Sequence, residues 1–268
     1  MLEELIDIVV RAGSEILDVY GTAFDVESKS DDSPLTEADL RANRVIVDGL
    51  SAIDPAIPVI SEESDAPSYS VRRTWRRYWL VDPLDGTREF VNRNGEFTVN
   101  IALIEDGEPV LGIVGAPVQG DVYIGDVKKQ EAFRIVGSSR QSITTRELGD
   151  DGITVVTSRS HGSERLERYL ESLIPIFGRV DRIAMGSSLK LCLLAEGRAD
   201  FYPRLGPTSE WDIGAAQAVL RAAGGSVSQM DGSPLRYNTK ASLLNPEFFA
   251  VGDASLNWNE RLPPMTDN

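Results

Sequence analysis

An apolar run, Tyr78-Trp79-Leu80-Val81, leads into Asp82-Pro83-Leu84-Asp85-Gly86-Thr87, so two carboxylates, a proline, a glycine and a hydroxyl fall within six residues. The aromatic and β-branched content predicts a buried strand, which Pro83 and Gly86 end abruptly. Asp82 and Asp85 then stand at its carboxyl end. Pro83 fixes φ and removes a donor, so the turn can aim both carboxylates into one cavity, while Gly86 lets a ligand approach the backbone. Such a segment suits metal and phosphate, although Asp-x-x-Asp alone is also ordinary turn and N-cap punctuation. Other acids placed in the same way favour chemistry. Ser61-Glu62-Glu63-Ser64 follows Ile57-Pro58-Val59-Ile60, putting Glu62 and Glu63 just past a second short strand, and Trp211-Asp212 opens an Ala-rich helix that ends at Gly224-Gly225.

Two unit charges about 4 Å apart repel by roughly 4 kcal/mol at an effective dielectric near 20, so clustered acids either take up protons or recruit a cation. Oxygen donors without clustered His or Cys favour a hard ion, Mg²⁺ or Mn²⁺. The single histidine, His161, and single cysteine, Cys192, exclude a His/Cys zinc cluster, and one cysteine cannot form a disulfide within the chain. Cys192 lies in the apolar run Leu191-Cys192-Leu193-Leu194 and reads as a core thiol.

With 268 residues, 41% of them hydrophobic and 26% charged, the chain can bury a large core. A net charge of -15 argues against nonspecific nucleic-acid binding and would repel an anionic substrate unless metal and local basic residues reverse the field. Arg72, Arg73, Arg76 and Arg77 form one basic run, read as a solvated surface segment. No basic leader and no membrane-length apolar run is visible, so the expectation is a cytoplasmic protein without a membrane span, peripheral association being left open.

Helical spacing of Leu2, Leu5, Ile6, Val9, Ile16, Leu17 and Tyr20 predicts an amphipathic helix over the first twenty residues, stopped by Gly21. A second helix is expected over 36–50, with Thr36 and Asp39 resembling a capping box, after a loop at 29–34. Short strands at 97–104, 110–116, 121–125 and 132–136 suggest an antiparallel meander. The polar segment 138–151 is the expected boundary between an N-terminal lobe, 1–145, and a C-terminal lobe, 146–268. Beyond it, strands at 153–157, 180–184 and 199–202 alternate with helices at 164–173, 187–196 and from Trp211. If Asp212 shares a site with Asp82 the lobes must meet, making 1–268 one cooperative unit of α/β, layered α+β type.

Asp82-Pro83-Leu84-Asp85-Gly86-Thr87 with Trp211-Asp212 and Gly224-Gly225 resembles the two signatures of the inositol monophosphatase superfamily, Mg²⁺-dependent and lithium-sensitive phosphatases. Asp85-Gly86-Thr87-Arg88-Glu89-Phe90, Ser158-Arg159-Ser160-His161, Gly186-Ser187-Ser188-Leu189-Lys190 and Tyr202-Pro203-Arg204 narrow the likeness to the bacterial 3'(2'),5'-bisphosphate nucleotidases, the CysQ group. The resemblance implies an αβαβα sandwich with two sheets and a site for two or three Mg²⁺ ions, with Mn²⁺ as a substitute. It assigns Glu62, Asp82, the Leu84 carbonyl, Asp85 and Asp212 to metal, and Asp39 with Thr87 to activation of the attacking water. Glu62, Leu84, Asp85, Gly86, Thr87 and Asp212 are also its substrate-side residues, with Glu63 orienting Glu62.

The substrate implied is a small nucleotide bisphosphate, 3'-phosphoadenosine 5'-phosphate, cleaved to AMP and phosphate in sulfur metabolism. Its second phosphate needs a cation, for which Lys190, Arg159, His161 and Arg204 are candidates. An inositol monophosphatase or fructose-1,6-bisphosphatase would keep the same metal set. A haloacid-dehalogenase-type phosphatase is disfavoured because its paired aspartates are two residues apart, and Asp82 and Asp85 are three apart. A noncatalytic nucleotide- or metal-binding regulator is the reading from another class. Relatives are often monomers or homodimers.

Overall fold

The computed structural model describes residues 1–28, 34–160 and 162–264; residues 29–33 of the loop expected at 29–34 and His161 lie outside the described residues, and Pro34 belongs to a short strand. The elements run α1 (Leu2–Tyr20), β1 (Glu27–Ser28), β2 (Pro34–Leu35), α2 (Glu37–Ile53), β3 (Val59–Ser61), α3 (Tyr69–Arg72), β4 (Arg77–Asp85), α4 (Thr87–Val91), β5 (Thr98–Glu105), β6 (Glu108–Ala116) and β7 (Asp121–Asp126). They continue through β8 (Glu131–Val136), β9 (Ser139–Ser142), β10 (Ile153–Ser158), α5 (Glu164–Phe177), β11 (Val180–Met185), α6 (Leu189–Ala195), β12 (Phe201–Arg204), α7 (Glu210–Ala222), β13 (Ser226–Gln229), β14 (Phe248–Val251) and α8 (Trp258–Arg261).

Strands β3 to β9 form a seven-stranded sheet in sequence order, antiparallel except for the parallel β3–β4 pair at one edge. The second sheet, ordered β11-β10-β12-β14-β13, is parallel across its first three strands and antiparallel beyond. Alternation along the strands shows how they stack. On β4, Trp79 and Val81 join a core with Leu5, Ile8 and Ile16 of α1 and Ile46 and Leu50 of α2, whereas Tyr78 and Leu80 face Leu191, Ile213 and Ala216 of α6 and α7. On the second sheet, Tyr202, Phe248 and Ala250 close that central core, and Phe201, Phe249 and Val251 turn outward to Tyr169, Leu170 and Leu173 of α5. The order is therefore helix, sheet, helix, sheet, helix. The inner strands are covered on both faces, which explains the nearly unbroken apolar runs of β5 and β14, whereas the edge strands β9 and β11 are largely exposed.

Helix α7 rests on the larger sheet with its backbone. Gly112 and Gly125 are cross-strand neighbours on β6 and β7. A Cβ on Gly112 would lie 2.0 Å from the Ala215 carbonyl oxygen, and one on Gly125 would lie 2.4 Å from the Val219 Cα. Glycine inside a strand here marks close approach of a second backbone.

Several expectations are corrected. Strand β4 does not stop at Pro83 but continues to Asp85 through a register shift against β5, because Pro83 sits in the irregularity where no ladder donor is needed. The polar boundary segment contains β9, which pairs with β8. Helix α5 runs past 173 and includes Pro175. Arg72 is not solvated: it is buried, donating to Asn238 Oδ1 and to the Lys240 and Ala241 carbonyls.

Candidate active site

Three strand or helix ends converge on one cavity of about 220 Å³. Glu62 follows edge strand β3, Asp82 and Asp85 come from the irregular end of β4, and Asp212 lies in the first turn of α7; all four line the cavity with Leu84, Gly86 and Thr87. Glu63, the neighbouring acid, is not among the lining residues. Local chemistry explains the placement. Ser209 caps α7, and its N–H donates to Asp212 Oδ2 at 2.9 Å, a capping box that leaves the other carboxylate oxygen for the cavity. The Leu84 N–H donates to Asp82 Oδ1 at 3.1 Å, fixing the turn.

Asp39 repeats this device. As the third residue of α2 it accepts from the Thr36 N–H at 2.8 Å and the Thr36 hydroxyl at 2.7 Å, both on Oδ2. Its Oδ1 stands 3.4 Å from Thr87 Oγ1, which is also 3.2 Å from the Leu84 carbonyl. The helix cap and the contact with Thr87 are thus one arrangement, with the two carboxylate oxygens divided between them.

Burial sets the electrostatics. Asp82 is pushed well above the usual carboxylate range by desolvation, then by Glu62, Asp85 and Asp212. Asp212 is pushed up to about 8 by burial and then by Asp85. Asp85 is also raised by burial, although Lys190, the Ser188 N–H and Asn100 oppose the shift. Lys190 is lowered to about 8, chiefly by burial and against the pull of Asp85, so desolvation outweighs attraction for both members of that pair.

Among the described residues no three acidic side chains close on one point as a ready-made ion site. The donor set nevertheless fits a hard divalent cation: every side-chain donor is oxygen, and burial, with the repulsion between the acids second to it, already favours protons that a cation would replace.

Motif reading missed residues in and behind the cavity. Asn100, fully buried on β5, donates to Ser188 Oγ at 3.0 Å and lies 3.4 Å from Asp85 Oδ2; among the described residues its Oδ1 has no hydrogen-bond partner. An amide alternating with Thr98 inside the run Val99 to Leu103 was the available signal. Glu89 and Tyr202, unlike Asn100, line the cavity itself. Of the four cations considered for a second phosphate, Lys190 and Arg204 are buried and line it, Arg159 instead forms a two-point ion pair with Glu96, and His161 lies outside the described residues.

The turn that carries Thr87 is braced from outside. Helix α4 is five residues long, and Phe90 packs against Tyr20, Phe24 and Phe97 with ring centroids 4.8 to 5.3 Å apart. Arg93, at φ +56°, donates to the Tyr20 and Thr22 carbonyls at 2.6 Å and lies over the rings of Tyr20 and Phe24.

Comparison with known proteins identifies the family. The family model described as "Inositol monophosphatase family" matches residues 1–259. The 3'(2'),5'-bisphosphate nucleotidase CysQ of Escherichia coli (strain K12) is 48% identical over 250 residues, covering 92% of this chain and 98% of that protein. A protein of the same description from Haemophilus influenzae is 34% identical over 264 residues, with 96% and 95% covered. Among solved structures, CysQ from Bacteroides thetaiotaomicron, described as a bacterial member of the inositol monophosphatase family, superposes with a TM-score of 0.82 at 40% identity over 93% of this chain and 96% of its own. The chain belongs to the inositol monophosphatase family.

Proposed function

We propose that the protein is a divalent-metal-dependent 3'(2'),5'-bisphosphate nucleotidase that converts 3'-phosphoadenosine 5'-phosphate to AMP and inorganic phosphate. The observation that carries this reading is a single cavity lined by five buried or half-buried acids, Glu62, Asp82, Asp85, Glu89 and Asp212, together with two buried cations, Lys190 and Arg204. The acids suit metal at the scissile phosphate, and the cations suit a second phosphate. The 48% identity to a nucleotidase of that description supports the substrate class.

In this reading Glu62, Asp82, the Leu84 carbonyl, Asp85 and Asp212 hold Mg²⁺, with Mn²⁺ as substitute. Divalent cations there would supply Lewis acidity for water attack and charge relief for the phosphoryl and leaving oxygens. The chain itself positions and moves the proton. Thr36 occupies Oδ2 of Asp39, so Oδ1 faces Thr87. With its own proton directed to Asp39, the Thr87 hydroxyl accepts from water and orients a lone pair toward phosphorus. The water oxygen bonds to phosphorus as the bond to the ribose 3'-oxygen breaks; the water's proton passes by way of Thr87 to Asp39, and the departing 3'-oxygen takes a proton from solvent water to leave as a hydroxyl. Gly86 lets the phosphate approach the turn because it has no side chain, and its φ of +89° is one that glycine adopts without strain. Lys190 and Arg204 meet the 5'-phosphate.

The test is phosphate release from 3'-phosphoadenosine 5'-phosphate, inositol 1-phosphate and fructose 1,6-bisphosphate, each with Mg²⁺, with EDTA and with Li⁺. Preference for the nucleotide, abolished by EDTA and reduced by Li⁺, is expected. Preference for a sugar or inositol phosphate would overturn the substrate, and no release from any of the three would overturn the activity.

A further inference from the structure

Glu96 lies between α4 and β5, outside the acidic cluster, and reaches elements of the other sheet. Its carboxylate accepts from Arg159 Nε and Nη2, both at 2.6 Å, and from the Gly186 N–H at 2.7 Å. Arg159 is 43% exposed, where an ion pair contributes little on its own. The bond to Gly186 is different: Glu96 is only 16% exposed, and a charge-assisted bond to backbone fixes a chain position.

Gly186 is pressed against this carboxylate's own backbone. A Cβ there would lie 2.6 Å from the Glu96 carbonyl oxygen and 2.8 Å from Glu89 Cγ. On the neighbouring side, a Cβ on Gly86 would lie 3.1 Å from that same Glu96 carbonyl and 3.3 Å from Ser187 Cβ. Glu96 thus sits where the phosphate-side turn and the turn before α6 meet.

The next residue, Ser187, has φ +46°, a conformation that a non-glycine residue keeps only where its surroundings impose it. Its carbonyl accepts from Lys190 Nζ at 2.5 Å. A continuous chain therefore runs from Glu96 through the Gly186 N–H and the strained Ser187 to the Lys190 ammonium. Ser188 is anchored separately, receiving a bond from Asn100 and donating to the Asp212 carbonyl at 2.5 Å. Loss of Glu96 would release the Gly186–Ser187 side while leaving the Asp85 and Asp212 side held.

We propose that Glu96 is a positioning residue for substrate selection: by clamping Gly186 it sets Ser187, and through it Lys190, for the phosphate remote from the scissile bond. This rests on the bisphosphate reading above.

The experiment compares 3'-phosphoadenosine 5'-phosphate with adenosine 3'-monophosphate, which lacks the remote phosphate, in wild type, Glu96→Ala, Glu96→Asp and Glu96→Gln, alone and with Lys190→Met. Alanine, and aspartate with its shorter reach, should raise KM for the bisphosphate about tenfold, the scale of one charge-assisted hydrogen bond. They should leave kcat within about twofold and the monophosphate KM unchanged. Glutamine, whose carbonyl can still accept from Gly186, should recover most of the bisphosphate KM. In the Lys190→Met background, Glu96→Ala should add nothing. The aspartate variant keeps the charge opposite Arg159 and serves if alanine does not fold. Equal losses on both substrates, a bisphosphate KM unchanged in the aspartate variant, or additivity with Lys190→Met would overturn the assignment. Failure of wild type to turn over the bisphosphate would instead overturn the bisphosphate reading itself, and the assignment with it.

Discussion

Replacing Gly112 by alanine inserts one methyl group between β6 and α7, and its cost follows from the contact it makes. The new Cβ would lie 2.0 Å from the Ala215 carbonyl oxygen and 2.8 Å from both the Ala215 carbonyl carbon and the Ala218 Cβ. Real Cβ contacts essentially never fall below 3.0 Å, so helix and sheet must separate by about 1 Å. No rotamer can relieve a clash with backbone. Overpacking costs about 1–3 kcal/mol, and a backbone clash belongs at the upper end, near 3 kcal/mol. At about 2–4 °C per kcal/mol for a chain approaching this size, Tm should fall by about 6–12 °C. The displacement also reaches Asp212, three residues before Ala215 on the same helix, so the Mg²⁺ concentration for half-maximal activity should rise. Thermal unfolding in EDTA, with a Mg²⁺ titration of phosphate release, measures both. Gly149→Ala, where a Cβ meets nothing within 4 Å, is the control. A Tm within 2 °C of wild type for Gly112→Ala would refute the backbone-on-sheet account, by the scaling above.

Asp212, raised by burial to about 8, stays protonated in the folded state over a range where the unfolded chain has lost that proton. Its stabilising contribution is complete below about pH 4 and is lost as pH rises through 8, so metal-free protein should be about 2 kcal/mol less stable at pH 8 than at pH 6 by denaturant titration in EDTA. Mg²⁺ should restore more stability at pH 8, and a flat pH profile in EDTA would contradict this. Asp85→Asn should abolish Mg²⁺-supported turnover yet raise the metal-free Tm, because it removes a carboxylate whose burial outweighs the help of Lys190, the Ser188 N–H and Asn100; a lowered Tm in EDTA would count against the raised state of Asp85. Thr87→Ala should lower kcat by roughly 10²-fold or more with little change in Mg²⁺ dependence, as loss of a proton-handling group would; turnover near wild type would remove its role. Arg72→Met should cost about 3 kcal/mol in chemical denaturation by leaving Asn238 Oδ1 and two carbonyls without their donor, and a loss under 1 kcal/mol would mean that water replaces it.

The acids at strand and helix ends were readable because their positions depend on local rules. Thr36 with Asp39 and Ser209 with Asp212 are capping boxes, spaced by helix geometry alone, and Gly86 has the positive φ that its turn requires. The meander was readable for the same reason, since short polar turns separate apolar strands. What depended on distant chain segments was not. Arg72 reads as a surface cation until residues 238–241 fold over it, and Arg159 as a free ligand for phosphate until Glu96 meets it. The order of the second sheet, in which β14 inserts between β12 and β13, has no local signature. Asn100 was hidden because one amide within an apolar strand looks like an exposed face until the strand is covered on both sides.

Five residues of helix do not persist in water alone, because the nucleus costs more than so few hydrogen bonds return. The order of α4, and with it the direction of the Thr87 hydroxyl, is therefore borrowed from the far end of α1 through Phe90 and Arg93. The amides of Thr87–Val91 should then exchange with solvent in step with the last turn of α1 rather than with the sheet they adjoin in sequence, which makes a surface helix end part of the same cooperative unit as the turn that carries Thr87.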